Sequence, residues 1–368
     1  MSKVLWDNPD IGSAEIDAAL SSLKSTIGAK GSNVIKLQEE LQIYLDVKHV
    51  ICVNNGTSAL LAACLALKHK FGELKFAVPS FSFIASANAP SFVYEDIEFC
   101  DVDPLTWNVK SNLVPDEATA IMAVDVAGLP CDYDDLKKLS LPIIGDSAES
   151  LGSRLNNNLI GTQADIHCFS MHRSKIITCG EGGFVSTNSD ELASYMRSYI
   201  SHGYDTEKKD WEYKHKTLGL NFRMTDIEAA IARVQLSRIN EFIVRRNKIA
   251  EIYRYELRER FEFQEFDKDK FSSNYFMFGI LDYERKNEEI IEHLNKNNVI
   301  TKAWSTIAGQ ECYRREDPTV CKKLSEHMVL LPIANATTDE EVEKVIKNLK
   351  QIYYYERNYL SNIRFLYI

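Results

Sequence analysis

No stretch of this 368-residue chain approaches the roughly 20 apolar residues that a membrane-spanning helix needs. Its opening residues, Met1 to Asn8, contain no apolar segment of signal-peptide length. The chain is therefore expected to be soluble, cytoplasmic and without a membrane partner. Basic residues are in the minority: 43 Lys and Arg stand against 53 Asp and Glu, for a formal net charge of -10, and the two signs are mixed rather than blocked. Such a surface offers a polyanion little attraction, so nucleic acid is not an expected partner. Paired cysteines are missing too. The eight cysteines, at 52, 64, 100, 131, 168, 179, 312 and 321, lie mostly inside apolar runs, without the spacing of a zinc site or a small disulfide scaffold. Free buried thiols are the expectation, and no metal is expected. Internal repeats, low-complexity tracts and Pro/Gly-rich linkers are absent as well. The Asn55-Gly56-Thr57 sequon is not read as a glycosylation acceptor in a non-secreted protein.

What is present is enough length for two cores. From about residue 47 to 190, short apolar runs alternate with helical patterns, the signature of a mostly parallel sheet with crossover helices. The candidate strands are His49–Val53, Lys75–Pro79, Ile97–Val102, Ala120–Val126, Pro142–Asp146, Asp165–Ser170 and Gly183–Thr187. Directly after Asn55-Gly56-Thr57, a run from Ser58 that is rich in Ala and Leu predicts a buried helix. A strand, a small-residue turn and a helix N-terminus in that order present backbone N–H groups to an anion. Residues Thr225 to Leu257 predict one long helix or two, a connector between domains. Beyond it, strand-like runs at Tyr275–Leu281, Val299–Trp304 and Met328–Pro332 interleave with helical patterns at Glu288–Asn297 and Asp339–Lys350, the last opened by a Thr338/Glu341 capping box. The expected architecture is α/β. A large domain over 1–240, with an N-terminal helical arm and a mostly parallel seven-stranded sheet flanked by helices, precedes a smaller α/β domain over 241–368. The aromatic tail from Tyr353 to Ile368 is unassigned.

The most informative segment runs from Phe169 to Phe184. A strand ends in Ser170, Lys175 follows in a short turn, and Gly180-Glu181-Gly182-Gly183 leads into another strand. A lysine at the C-terminal edge of a parallel sheet is placed where such sheets bind ligands, and its amine can condense with an aldehyde cofactor. Asp146 closes the strand before it, so its carboxylate emerges at the same edge and could keep the ring nitrogen of pyridoxal phosphate protonated. The Gly56-Thr57-Ser58 turn could hold a phosphate there. Each feature also has an ordinary reading: Lys175 as a solvated surface lysine, Asp146 as a helix N-cap, the turn as a plain turn.

Together with Val53-Asn54-Asn55-Gly56-Thr57-Ser58, Val78 to Asn88, Asp101 to Trp107, Asp146 to Gly152, Ser170 to Gly183 and Gly219 to Thr225, these features resemble the DegT/DnrJ/EryC1/StrS family of sugar aminotransferases, pyridoxal-phosphate enzymes of fold type I (aspartate aminotransferase-like). The resemblance runs to about residue 350. It implies Lys175 as the Schiff-base lysine, Asp146 as the partner of the pyridine nitrogen, and Glu149 beside the ring and its phenolic oxygen. Phe83 matches the aromatic that stacks on the ring, or else is a core phenylalanine. Gly56, Thr57, Ser58 and Ser170 match the phosphate cradle. Asn221 matches an asparagine that reaches the phosphate of the neighbouring subunit, which implies a homodimer with shared sites. His172 and Arg223 are candidates for substrate contact, with a structural part as the alternative for each.

The resemblance further implies L-glutamate as amino donor, pyridoxamine phosphate as the half-reaction form of the cofactor, and a nucleotide-linked keto sugar as acceptor in glycan or O-antigen synthesis. Gly180-Glu181-Gly182-Gly183 and the Asp146–Gly152 segment are similar to members aminating C4 of 4-keto-6-deoxy sugars, whereas C3-aminating members more often have Asp in place of Glu181. Ser170-Met171 also resembles members acting on keto-inositols. Asp125 and Ala127 stand where relatives commonly have His and an aromatic residue. A reading of another class, a pyridoxal-phosphate-binding sensor without turnover, lacks the fused DNA-binding segment it would need. Nucleotide contacts are expected from loops near 204–217 and 305–320.

Overall fold

The computed structural model describes residues 3–364 except 26, 27, 30, 95 and 206–211, and from 353 onward only the backbone. The expected loop at 204–217 therefore falls partly outside the described residues. Two helices, α1 (Ser13–Leu23) and α2 (Ser32–Leu45), lead into β1 (His49–Val53), α3 (Gly56–Phe71), β2 (Phe76–Pro79), α4 (Ala85–Val93), β3 (Ile97–Cys100), β4 (Ala120–Val124), α5 (Tyr133–Leu136) and β5 (Ile143–Asp146). After a short hairpin, β6 (Arg154–Leu155) and β7 (Asn158–Leu159), come β8 (Ile166–Ser170), β9 (Gly183–Thr187), α6 (Asp190–Tyr199), α7 (Asp226–Ser237) and α8 (Ile239–Leu257). The chain closes with β10 (Phe271–Ser272), β11 (Phe278–Leu281), α9 (Asn287–Lys296), α10 (Thr319–His327), β12 (Met328–Leu331) and α11 (Asp339–Arg364).

The main sheet has seven strands in the order β1-β9-β8-β5-β4-β2-β3. All its pairs are parallel except those of β9, which runs antiparallel to both β1 and β8. Strands β2, β4, β5 and β9 are buried along their whole length, as strands covered by helices on both faces must be, which is why they read as unbroken apolar runs. Alanines along α3 (Ala59, Ala62, Ala63, Ala66) are fully buried and let this helix lie close against the sheet.

A second core, from Ile249, Tyr253, Phe278, Ile280, Val329, Val345 and Leu349 among others, is distinct from the one around the main sheet. Helix α8 passes from one to the other, with Ile239 and Phe242 in the first and Ile249 to Leu257 in the second. The Thr225–Leu257 pattern is two helices, α7 and α8, and the capping box forms: Thr338 N–H donates to Glu341 Oε2 at 2.9 Å and Glu341 N–H to Thr338 Oγ1 at 3.2 Å.

Two expectations need correction, and one helix was not foreseen. Val299–Trp304 is not a strand: Ile300 N–H bonds Val4 and Lys302 O accepts from Leu330, so the segment touches two different neighbours and builds a ladder with neither. Helix α10 escaped the sequence reading because its apolar face is only Val320, Cys321 and Leu324 in a short polar run that follows Pro318. Cys312 is exposed, whereas the other seven cysteines are buried. Among the described residues no helix is long and apolar enough to cross a membrane.

Candidate active site

Strands β4, β5 and β8 point the same way and end at Val124, Asp146 and Ser170, so the turns that follow them share one edge of the sheet. Segment 171–182 after β8 folds back on itself: Met171 N–H bonds Gly182 O at 2.8 Å, Arg173 N–H bonds Gly180 O at 3.0 Å, and Lys175 N–H bonds His172 O at 2.9 Å. That turn carries the Lys175 side chain inward. It is 15% exposed, with Nζ 3.6 Å from Glu149 Oε1 and 4.1 Å from the centre of the Phe276 ring. The reading of Lys175 as a solvated surface residue does not survive this placement.

Glu149 is buried, and its other oxygen accepts the Ala127 N–H at 2.8 Å. Ala127 adopts φ 61°, a left-handed conformation that is costly for a residue other than glycine. Burial pushes the Glu149 carboxyl up to about 7, against the opposing pull of Lys175 and the Ala127 N–H. Asp146, also buried, accepts from Ser86 Oγ at 2.6 Å on one oxygen, and Ala148 N–H lies 3.3 Å from the other. It is a strand-end carboxylate, not a helix cap. Burial raises its pKa, opposed by the Ser86 hydroxyl and the Lys175 charge.

At the start of α3, Asn55 Oδ1 caps the helix by accepting Ser58 N–H at 2.8 Å. The turn lies directly against Ser170: a Cβ added to Gly56 would stand 2.9 Å from the Ser170 Cβ. Ser58 is buried, Ser170 half-buried and Thr57 exposed. Phe83 is 62% exposed, so it is not a core residue. Asn221 is exposed, on a segment bridged to Ser201, and the neighbouring Arg223 bridges Val53 by its backbone and donates from Nη1 to Ser201 Oγ at 3.1 Å. His172 turns to its own loop, with Nδ1 3.0 Å from Ser174 Oγ and Nε2 4.0 Å from Glu181 Oε1, and burial lowers its pKa. The structure thus brings Lys175, Asp146 and Glu149 together and sets the Gly56 turn against Ser170, while Arg223 and His172 bond to protein neighbours.

These residues fit pyridoxal phosphate. A primary amine stands beside two buried carboxylates, a small-residue turn at a helix N-terminus suits a phosphate, and an aromatic ring, Phe83, lies open to solvent. Among the described residues no cluster of three or more His, Cys, Asp or Glu could hold a metal. A hollow of about 660 Å³ lies elsewhere, between α1, α2 and α7, where Arg233 bonds Glu40 and Asn33; it holds none of this chemistry.

The sequence reading marked Ala127 only as unusual for its position and missed four other residues that hold these groups: Ser86, Phe276, and the pair Arg246 and Asn335. Buried Arg246 donates from Nε to Asn335 Oδ1 at 2.6 Å and from Nη1 to the Phe276 carbonyl at 2.9 Å, and Asn335 Nδ2 donates to Ile176 O at 2.9 Å. Helix α8 is thereby tied both to the ring under Lys175 and to the residue after it. Only Ser86 left a signal, lying four residues after Ser82 on the edge that follows β2. Their hydroxyls are 2.7 Å apart.

Fold and site together define an aminotransferase that uses pyridoxal phosphate. The model of the DegT/DnrJ/EryC1/StrS aminotransferase family matches residues 9–350, and the chain belongs to that family. It is 30% identical over 358 residues to the GDP-perosamine synthase of Escherichia coli, covering 94% of this chain and 97% of that one. It is also 30% identical over 305 residues to the UDP-4-amino-4,6-dideoxy-N-acetyl-beta-L-altrosamine transaminase of Campylobacter jejuni, covering 79% of this chain and 80% of the other. Among solved structures it is similar to PseC of Helicobacter pylori, an aminotransferase involved in the biosynthesis of pseudoaminic acid, with a TM-score of 0.88 at 25% identity over 95% of this chain and 99% of that one.

The close approach at Gly56 gives a first prediction. Gly56→Ala is expected to displace Ser170 and weaken cofactor binding about tenfold, equivalent to about 1.4 kcal/mol and at the lower end of usual overpacking costs. Titration of the apoprotein with pyridoxal phosphate measures it, and an unchanged Kd would mean that the turn does not hold the phosphate.

Proposed function

We propose that this chain transfers an amino group from L-glutamate to the C4 keto carbon of a nucleotide-linked 4-keto-6-deoxy sugar, acting as a homodimer in the cytoplasm. The observation that carries the chemistry is the Lys175 amine, turned inward at the sheet edge between the Glu149 carboxylate and the Phe276 ring. The sugar assignment rests on the two curated relatives, one named for a GDP-linked product and the other for a UDP-linked 4-amino-4,6-dideoxy sugar. An exposed Asn221 suits a residue that serves the neighbouring subunit.

Pyridoxal phosphate supplies, when bound, an aldehyde for amines to condense with and an electron-withdrawing ring. The residues of the chain do the rest. Lys175 holds the cofactor until an amino donor displaces it, and its freed amine then moves a proton at the donor carbon. Glu149, ionised above about pH 7, stabilises the positive charge that Lys175 acquires on taking that proton. Asp146 would partner the ring nitrogen, where its negative charge would keep a proton. Gly56, Thr57, Ser58 and Ser170 would hold the phosphate, and Phe83 would cover the ring.

The visible spectrum of the loaded protein tests the reading. L-Glutamate is expected to bleach the band of Lys175-bound cofactor, and a 4-keto-6-deoxy nucleotide sugar to restore it. Restoration by a keto-inositol alone would overturn the sugar assignment, and a band that no amino donor bleaches would favour a sensor.

A further inference from the structure

Asp125, directly after β4, is fully buried and takes no part in the chemistry above. Its carboxylate is the common acceptor of four donors. Oδ1 accepts the Cys131 N–H at 2.8 Å and the Tyr133 hydroxyl at 3.0 Å, and Oδ2 accepts the Ser147 hydroxyl at 2.8 Å and the Ser150 hydroxyl at 2.5 Å. Proton positions around it follow from one another. Ser147 spends its proton on Asp125, so its oxygen accepts from His167 Nδ1 at 2.8 Å, and His167 Nε2 in turn accepts the Ala164 N–H at 2.9 Å. His167 is thus the neutral Nδ1–H tautomer, in keeping with burial that pulls its pKa down to about 3. Gly145 leaves the room: a Cβ there would stand 2.4 Å from His167 Nδ1 and 2.8 Å from the Tyr133 hydroxyl.

Four donors and no partner acceptor suit an ionised carboxylate, which these hydrogen bonds favour against the burial that pushes its pKa up to about 6. The groups facing it are Tyr133, Cys131, Ser147, Ser150 and, through Ser147, His167; Asp146 contributes its carbonyl, which accepts the Asp125 N–H at 3.1 Å. None of them is a cation. A buried charge without a counter-ion is a costly way to stabilise a fold, so its placement calls for another account.

That account lies in what the donors belong to. Cys131 and Tyr133 lie on the segment that follows β4, and Ser147 and Ser150 flank Glu149 on the segment that follows β5. The two segments meet again where the Ala127 N–H, in its left-handed conformation, bonds Glu149 Oε2. We propose that Asp125 is a positioning residue for transamination, clamping these two segments so that the Glu149 carboxylate is held at its working distance from the Lys175 amine. The proposal rests on the reading of Lys175 as the reacting amine. Glu149 is faced by Lys175, by the Ala127 N–H and by the charge of Asp146. When the clamp loosens, the ionised form of Glu149 loses its backbone donor and its pKa moves further up.

The test uses the pyridoxal-phosphate-loaded full chain as wild type, Asp125→Asn and Ser150→Ala. Asp125→Asn is expected to keep the visible band of Lys175-bound cofactor and a KM for L-glutamate near that of wild type. Its kcat should fall about 10- to 100-fold, within the range for a misplaced acid–base group, and the acid limb of its pH–rate profile should move up by about one unit. Ser150→Ala, which removes one of the four donors, should move the limb the same way by less. If Asp125→Asn does not fold, Ser150→Ala decides on the same limb. A wild-type limb in the folded variants overturns the clamp, even where kcat has fallen, because a merely structural role would lower the rate without moving the limb. Absence of the band from the wild-type protein would instead overturn the role of Lys175, and the clamp with it.

Discussion

Lys175→Ala, saturated with pyridoxal phosphate and supplied with L-glutamate and the keto sugar, is expected to lose transamination by about 10⁴-fold or more, the upper range for removal of one acid–base group. The loss should exceed that range, because one amine is asked to do two jobs: to hold the cofactor covalently and to move the proton afterwards. The surroundings of Lys175 offer no substitute. Its neighbours are a carboxylate at 3.6 Å and an aromatic ring at 4.1 Å, and the half-buried His172 bonds Ser174 within its own loop. The fold should survive, since Lys175 makes its regular hydrogen bond through the backbone, to His172 O. Steady-state rates over the two half-reactions, together with loss of the visible band, check the prediction; undiminished turnover would end the assignment.

Asp146→Asn carries the second large effect, a fall of about 10²- to 10³-fold in the rate of the proton shift, comparable to removal of one preorganised electrostatic group. Asparagine keeps the size of the side chain and can still accept the Ser86 hydroxyl that bonds Oδ2 at 2.6 Å, so α4 should stay in place. Only the charge goes. Without it nothing at that edge favours a proton on the ring nitrogen, and the ring withdraws electrons less well. Single-turnover measurement with L-glutamate isolates this step from product release. A full-speed Asp146→Asn would reduce Asp146 to an anchor for Ser86.

The main sheet was legible because strands buried on both faces leave unbroken apolar runs: the β1 and β9 expectations match in both bounds, and the others overrun by a residue or two into the turns. Val299–Trp304 shows the limit of that signal, since an apolar run guarantees burial but not a partner strand, and this one divides its hydrogen bonds between Val4 and Leu330. Lys175 and Asp146 could be picked out because each lies at or just after a strand end, whereas Glu149 came only with the family resemblance. Their supports could not be picked out. Phe276, Arg246 and Asn335 come from distant parts of the chain, and no local pattern links them to Lys175. A backbone N–H such as that of Ala127 carries no side-chain signal at all. Asp125 was noticed only as an unusual residue for its position, and its four donors became visible only once two loops were brought together.

The reversed direction of β9 has a consequence for how the molecule assembles. Because β9 is antiparallel to β8, the chain returns through a hairpin and needs no crossover helix, so Ser170 pairs with Gly183 across a short stretch of sequence. By contrast, His49 must find Thr187 across most of the large sheet's sequence. Closing a short loop sacrifices less chain entropy than closing a long one. The turn bearing Lys175 therefore needs only a local closure, whereas bringing β1 and the Gly56 turn that follows it to the same edge needs a long one.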